Sequence, residues 1–234
     1  MTKEQALSKL QLNPRLLQIA RLVPNCKAVA DIGTDHGYIP IFSVLAGLCE
    51  RAIASDINKG PIRRAEENVK AFCLEDKISL RLGGGLETVK PNEADVVVIA
   101  GMGGILISNI LEASNNIVRN AKLLILQPMT AVIELRQYLS ENNYEISAEH
   151  LEAEEEKIYN ILVAKPGGNT QYTLKELYLG KGLYETSPNL VERYKTAVLT
   201  KLNKRVDGLK KSRNPENETE LKKTLNLLKI LNER

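Results

Sequence analysis

A ten-residue stretch, DIGTDHGYIP at residues 31–40, places two acids, a histidine, a tyrosine and two glycines close together. It follows the apolar residues 28–30 and precedes the largely apolar residues 41–48, a pattern that predicts a strand, a turn and a helix in that order. Glycines let a ligand approach the backbone, and the first turn of a helix offers unpaired N–H groups. The stretch therefore predicts a binding site for a nucleotide-like cofactor.

The charge of this turn indicates which cofactor it suits. A dinucleotide-binding loop reads GxGxxG and holds a pyrophosphate, but here three residues separate Gly33 from Gly37, and one of them, Asp35, would repel a phosphate. S-adenosyl-L-methionine carries a cationic amine and a sulfonium, which Asp31 and Asp35 would attract. We predict that Asp31, Gly33, Asp35 and Gly37 bind this cofactor. An ordinary strand-to-helix turn with a capping aspartate is the alternative.

Two later strand ends extend the predicted cofactor site. Asp56 ends the second predicted strand, 19 residues after Gly37, where a doubly wound fold places an acid against ribose hydroxyls. The neighbouring Ile57 is expected to pack on the adenine face. In LGGGLE, Gly84 permits main-chain contacts with adenine; a flexible turn is the alternative there.

The stretch IAGMGG at residues 99–104 bears on the reaction. Its Gly101 and Met102 supply backbone contacts and a thioether, and no polar side chain that would hold an exocyclic amine. Such a site suits a nucleophile with a lone pair, such as N1 of adenine, from which no proton must leave. We therefore predict catalysis by proximity and alignment, with no obligatory general base. A glycine-rich helix start packed against the sheet is the alternative.

His36 and Tyr38 are the side chains predicted to position the substrate. Both lie in the turn near the predicted methyl-transfer end, and Tyr38 could stack on a flipped adenine, as aromatic side chains do in many RNA sites. The competing interpretation is that both residues only pack within the turn. No catalytic acid or base is assigned.

The elements that must position these residues alternate between strand and helix, which predicts a mostly parallel sheet with helices on both faces. The last two strands predict an antiparallel hairpin at the sheet edge, linked by HLEAEEEK at residues 150–157. Asn13 and Pro14 predict the start of an N-terminal helix. The predicted strands are 27–32, 52–56, 77–82, 94–100, 122–127, 144–148 and 158–164, and the predicted helices are 14–22, 39–48, 60–72, 104–112 and 131–142.

The chain is predicted to contain two domains, 1–166 and 167–234, because KPGGNTQ at residues 165–171 has the composition of a linker. After a short helix near residues 173–179, two longer helices with narrow apolar seams predict a coiled-coil-like antiparallel hairpin. The seam residues are Leu190, Tyr194, Ala197 or Val198, Leu202, Val206 and Leu209 in the first helix and Leu221, Leu225, Leu228 and Leu231 in the second.

The first of these two helices is strongly basic. Residues 193–213 contain eight basic residues and one acid, a net charge of +7, whereas the whole chain carries only +3. This asymmetry predicts a polyanionic partner, although a solvated helix face is the alternative. The basic residues assigned to that partner are Lys201, Lys204, Arg205, Lys210 and Lys211.

Composition excludes several other classes of protein. The chain has 234 residues and is 43% hydrophobic, without an apolar run that could cross a bilayer, and its polar start MTKEQALSK does not resemble a signal peptide. We expect a cytoplasmic protein. Three cysteines without a CxxC pair and two histidines argue against a disulfide framework and against a zinc site.

Four motifs in order, RLLQIARLVP, ADIGTDHGYIP, IAGMGG and LILQP, resemble the bacterial tRNA (adenine(22)-N1)-methyltransferase family. The resemblance implies a Rossmann-like class I methyltransferase domain with a coiled-coil-like C-terminal domain. It also implies transfer of a methyl group from S-adenosyl-L-methionine to N1 of an adenine in the tRNA D-arm, with no membrane or metal involved.

The resemblance implies further roles. Arg15 would reach the cofactor carboxylate or the RNA, and Gln127 would lie beside the target base. Gly101 and Met102 would bind the cofactor, as the wall near its methionine moiety. Two positions depart from the family pattern: Met129 stands where many relatives have Asn, and Gly84 where an Asp or Asn is common. Other interpretations stay open, namely methylation of another RNA base, a small molecule or a protein, and a non-catalytic RNA-binding module. A NAD-dependent oxidoreductase is disfavoured by the absent GxGxxG.

Overall fold

The structure is a computed structural model that describes residues 8–183, 186–211 and 216–233. Seven strands in this part of the chain form one sheet in the order β3-β2-β1-β4-β5-β7-β6. Strands β1 to β5 run parallel, and β7 is antiparallel to β5 and to β6. The strands are β1 (Cys26–Ile32), β2 (Cys49–Asp56), β3 (Ile78–Leu82), β4 (Val96–Gly103), β5 (Leu123–Thr130), β6 (Tyr144–Glu154) and β7 (Lys157–Pro166).

Helices follow the strands in the predicted alternation. The first begins at Pro14, and the Asn13 side chain caps it by accepting a 2.8 Å hydrogen bond from the Leu16 N–H. The helices with both ends among the described residues are α1 (Pro14–Leu22), α2 (Tyr38–Leu45), α3 (Lys59–Ala71), α4 (Gly104–Ala113), α5 (Asn115–Val118), α6 (Val132–Glu141), α7 (Leu174–Leu179), α8 (Pro188–Lys211) and α9 (Glu216–Asn232).

The central strands are apolar because both faces of the sheet are covered. Val29 and Val98 pack in the core on one face, whereas Ala30 and Val97 pack in the core on the other. A strand buried on both sides has no need of alternating polarity. The predicted mostly parallel α/β sheet with an antiparallel edge hairpin is thus confirmed.

The edge hairpin corrects one sequence-based expectation. Residues 150–157 were expected to link the two strands, but β6 runs to Glu154 and pairs with β7 as far as Lys157, so that only residues 155 and 156 form the turn. Pairing with β7 continues through the acidic stretch, from His150 opposite Ile161 to Glu154 opposite Lys157. The hairpin also buries polar groups. Arg136 of α6 is fully buried and donates to Glu149 of β6 at 2.9 Å and to Asn160 of β7 at 2.9 Å.

The first compact unit of the chain ends at Thr170, and the second begins at Gln171. The boundary predicted from the sequence lies four residues earlier, after residue 166. Residues 165 and 166 belong to β7, and the buried Thr170 is held in the first unit by two hydrogen bonds. Its hydroxyl accepts from the Ile146 N–H at 2.7 Å, and its carbonyl accepts from the Ser140 hydroxyl at 2.6 Å.

The second unit contains α7, α8 and α9 around a small core of its own, which includes Leu202, Val206, Leu228 and Leu231. One predicted seam residue is wrong, because Leu225 is 44% exposed and Thr224 is buried in its place. Thr224 can face a core because its hydroxyl donates to the Glu220 carbonyl of the preceding turn at 2.8 Å.

No helix within the described ranges is long and apolar enough to span a bilayer.

Candidate active site

The turn after β1 is fixed against the end of β2. The N–H groups of Gly33 and Thr34 both donate to the Ser55 carbonyl, at 2.8 and 2.9 Å. Gly33 and Gly37 have φ values of +78° and +70°, in the left-handed region that favours glycine. The two glycines therefore allow the sharp turn that the sequence predicted.

Asp31 lies buried at the end of β1. Burial raises the pKa of its carboxyl to about 6, the Thr34 hydroxyl lowers this pKa, and the negative charge of Asp56 raises it. Within the described residues no basic side chain pairs with Asp31. The site thus holds a carboxylate that a cationic ligand would stabilise.

Two cavities meet at Gly33. The first, of about 450 Å³, is lined by Arg15, Asp31, His36, Tyr38 and Gly101 among others. The second, of about 330 Å³, is lined by Asp56, Ile57, Gly84 and Met102 among others. Gly33 lines both cavities, and a methyl group built on it would overlap the terminal methyl of Met102. The structure therefore brings the predicted cofactor residues together around two adjoining spaces.

Asp56 and Ile57 project toward the second cavity from the end of β2. One Asp56 carboxylate oxygen accepts from the Asn58 N–H at 2.7 Å, and the other has no partner among the described residues. Ile57 is 70% exposed, more than any other large apolar side chain among the described residues. An acceptor beside a flat apolar surface suits a ribose and its base.

Asp35 is oriented differently from Asp31. It forms an ion pair with Arg64 of α3, whose Nε donates to it at 3.1 Å, and His36 Nε2 lies 3.4 Å from its other oxygen. Its side chain is exposed, so much of its charge is compensated or screened. The electrostatic attraction for a cation in this turn therefore comes mainly from Asp31.

His36 and Tyr38 form a stacked pair on the wall of the first cavity. Their ring centroids are 5.1 Å apart, and the ring planes differ by 11°. The His36 carbonyl accepts a 2.9 Å hydrogen bond from Asn68 of α3, which fixes the backbone below the pair. The two rings thus lie nearly parallel and stack on one another in the cavity wall.

A polar cluster that includes two lining residues of the first cavity, Arg15 and Gly101, joins three distant segments. Gln127, within β5, is fully buried, and its amide oxygen accepts from Arg15 Nη1 at 2.6 Å and from the Gly101 N–H at 3.1 Å. Arg15 also lies 3.9 Å from Glu154 and over the ring of Tyr159, both in the edge hairpin. Neither Glu154 nor Tyr159 was predicted from the sequence to lie near the site.

Replacing Gln127 with methionine should lower the free energy of unfolding by about 1–3 kcal/mol, because two part-buried hydrogen bonds are lost and each contributes about 0.5–1.5 kcal/mol. Methionine matches glutamine in length but accepts hydrogen bonds weakly, so Arg15 and the Gly101 N–H would be left unsatisfied. Urea denaturation measures the change. The matched control is Gln137→Met at an exposed site on α6, which should stay within about 0.5 kcal/mol of the parent. Equal stability of both variants and the parent would contradict this account of Gln127.

The five basic residues predicted to bind a polyanionic partner are all exposed on α8, namely Lys201, Lys204, Arg205, Lys210 and Lys211. Arg205 differs from the others, because it donates to Glu220 of α9 at 2.7 Å and so helps to join the two helices. Arg213, the last basic residue of the stretch 193–213, lies outside the described residues. In the part of the chain that the structure describes, no group of three or more His, Cys, Asp and Glu side chains could hold a metal ion.

The strand order, the glycine turn and the acids that end β1 and β2 define a class I methyltransferase, and the family model described as a methyltransferase domain matches residues 12–162. The tRNA (adenine(22)-N(1))-methyltransferase of Bacillus subtilis (strain 168) is 40% identical over 161 residues, covering 69% of this chain and 68% of that protein. This chain belongs to the tRNA (adenine(22)-N1)-methyltransferase family, as its motifs predicted.

Solved structures of related proteins agree over nearly the whole chain. The crystal structure of the B. subtilis m1A22 tRNA methyltransferase matches with a TM-score of 0.79 at 32% identity, covering 96% of this chain and 100% of that one. A putative tRNA (m1A22) methyltransferase of Streptococcus pneumoniae, in complex with S-adenosyl-L-methionine, matches with a TM-score of 0.77 at 32% identity. It covers 93% of this chain and 97% of that one. The shared fold extends into the C-terminal helices.

Proposed function

We propose that this protein transfers a methyl group from S-adenosyl-L-methionine to N1 of adenine 22 in tRNA. The observation that carries the proposal is the pair of cavities that share Gly33, with the buried Asp31, which pairs with no basic side chain among the described residues, in one and Asp56 in the other. Family membership gives the substrate class.

The residues around the two cavities fit this cofactor. When bound, S-adenosyl-L-methionine supplies an ammonium group, vicinal ribose hydroxyls and an electrophilic methyl group on a sulfonium. Asp31 would hold the ammonium group, and Arg15 would face the cofactor carboxylate from across the first cavity. Asp56 would accept from the ribose hydroxyls, and Ile57 would cover one face of the adenine.

The backbone around the cofactor would contribute as much as the side chains. Gly33, Gly37 and Gly101 have φ values of +78°, +70° and +78°, so these positions allow a ligand close to the main chain. Met102 would form the wall between the two cavities, and Gly84 would leave room beside Ile57. Asp35 would act mainly on the turn itself, through Arg64.

No general base is required by the proposed chemistry. N1 of adenine carries a lone pair in the ring plane and no hydrogen, so methylation gives a cationic base without loss of a proton from that atom. The stacked His36 and Tyr38 rings would position the flipped base by contact with its face. Gln127 would act indirectly, because its amide oxygen is used by Arg15 and Gly101. The rate would then depend on alignment.

The exposed lysines of α8 would bind the tRNA backbone. Lys201, Lys204, Lys210 and Lys211 have no acidic partner among the described residues, so their charges are available for phosphates. Such contacts carry no sequence information, and they make affinity depend on salt.

The test is to identify the methylated nucleoside. The protein is incubated with radiolabelled S-adenosyl-L-methionine and unmodified tRNA, the tRNA is digested, and its nucleosides are separated. We expect label in N1-methyladenosine, and no label when adenine 22 is replaced by guanine. Label in N6-methyladenosine, in another base or in protein would contradict the proposal.

A further inference from the structure

The three consecutive glycines after β3 differ in what they can accommodate. A methyl group built on Gly83 would overlap the Thr88 side chain, and Gly85 has a φ of +51°. Gly84 is under neither constraint, because a methyl group built there would meet Ile57 at 3.6 Å and nothing closer. Position 84 could therefore carry a side chain, and its being glycine calls for an explanation other than backbone strain.

The carboxylate of Glu87 lies beside the vacant side-chain position of Gly84. A methyl group built on Gly84 would be 3.8 and 3.9 Å from the two Glu87 oxygens. The turn brings Gly84 and Glu87 together, because the Glu87 N–H donates to the Gly84 carbonyl at 3.2 Å. Glu87 thus places its carboxylate close to where an acidic side chain at position 84 would place its own carboxylate.

This carboxylate faces an otherwise mostly apolar space. Glu87 lines the second cavity together with Ile57, Leu106 and Ile110, and neither hydrogen bond nor ion pair engages its carboxylate within the described residues. Asp56, the other acid of this cavity, already accepts from a backbone N–H. Glu87 is therefore a free acceptor beside surfaces that suit a flat heteroaromatic ring.

We propose that Glu87 accepts a hydrogen bond from the exocyclic amine of the cofactor adenine and so selects an adenine base. The inference rests on the proposed use of S-adenosyl-L-methionine. An amine offers two N–H donors to a carboxylate, whereas a carbonyl at the same ring position would meet it with lone pairs. Glu87 is exposed, so a bound ligand must cover its carboxylate. An acceptor covered in this way that faces another acceptor discriminates between ligands.

The experiment compares two ligands by isothermal titration calorimetry. S-adenosylhomocysteine carries the amine, and S-inosylhomocysteine carries a carbonyl in its place. The parent protein should prefer S-adenosylhomocysteine by more than about tenfold. Glu87→Gln can donate to the carbonyl, so its preference should fall to within about threefold. Glu134→Gln removes the same charge from an exposed site on α6 and should keep the parent preference.

A second-site variant tests the geometry. Glu87→Ala should bind S-adenosylhomocysteine about tenfold more weakly, and adding Gly84→Asp should restore most of the affinity, because position 84 has room for the side chain. Asn109 also lines the second cavity and offers an amide group. Unchanged discrimination in Glu87→Gln, or loss of discrimination in Asn109→Ala instead, would overturn the assignment of Glu87 and leave the proposed cofactor standing. A parent protein that bound neither ligand would overturn the proposed cofactor as well.

Discussion

Replacing Asp31 with asparagine should weaken the binding of S-adenosylhomocysteine about a hundredfold and yet stabilise the protein. S-adenosylhomocysteine retains the ammonium group that Asp31 would hold, and the loss of one partner from a desolvated charge pair costs about 2–5 kcal/mol. Asparagine has nearly the same shape, so the turn between β1 and α2 should survive. Calorimetry measures the affinity. Asp76→Asn, at an exposed site that lines neither cavity, serves as the control for the removal of a charge.

The stability part of this prediction depends on pH. The pKa of Asp31 is raised to about 6 from its ordinary value of 3.8, so between about pH 4 and pH 6 the folded state holds a proton that the unfolded state has released. Stability therefore falls as the pH rises through this window, by about 3 kcal/mol at about 1.36 kcal/mol per unit of pKa difference. Asp31→Asn should lack this fall in stability and be more stable at pH 7.5.

Ligand binding should show the opposite pH dependence. Only the ionised Asp31 attracts an ammonium group, so the affinity of the parent protein for S-adenosylhomocysteine should fall as the pH drops below about 6. Denaturation and calorimetry across pH 4.5–8 separate the two effects. Near-parental affinity in Asp31→Asn would mean that the cofactor lies elsewhere, and an equal pH dependence of stability would mean that Asp31 is not the titrating group.

The parts of the site that the sequence predicted are those that depend on short stretches of chain. Asp31, Gly33 and Gly37 lie within seven residues, and a strand followed by a glycine turn and a helix fixes their relation locally. Asp56 could be placed because parallel strands end at the same edge of a sheet. Short sequence patterns of this kind determine the relative positions of their own residues.

The polar contacts of Asn13 and Arg15, which line the first cavity, could not be predicted in the same way. Arg15 meets Gln127 across 112 residues of sequence, and Asn13 meets Glu154 across 141. The second contact also requires the register of the edge hairpin, which the acidic stretch at residues 150–157 obscured because its composition resembles that of a polar loop. Its alternation of acids with Leu151 and Ala153 was the one signal of a strand.

The choice of core residues in α9 failed for a related reason. Leucines at 221, 225, 228 and 231 fit a helical stripe as well as the observed set does, and leucine is the usual core residue. Thr224 is buried instead because a helix can satisfy its hydroxyl internally, at the Glu220 carbonyl. Packing against α7 and α8 selects between the two stripes, and this information is absent from the helix sequence itself.

Reversing the charges of Lys201, Lys204 and Lys211 should weaken tRNA binding about a hundredfold at low salt and leave the affinity for S-adenosylhomocysteine unchanged. At 100° per residue these three lysines share one face of α8, away from the core residues Leu202 and Val206. Lys210 lies on another face, and Arg205 is already paired with Glu220, so reversing either one would test a different surface or the helix pairing. Filter binding at several salt concentrations measures the effect.

The salt dependence of binding distinguishes phosphate contacts from a general effect of charge. If the three lysines contact phosphates, their reversal should reduce the slope of log affinity against log salt by about two to three, since each phosphate contact contributes about 0.7–0.9. Reversing Lys77, Lys90 and Lys165, exposed lysines of the methyltransferase unit, changes the net charge equally and should alter the slope little. An equally large decrease in both triple variants would indicate a response to total charge alone. Parental affinity in the α8 variant would remove this face from the tRNA-binding surface.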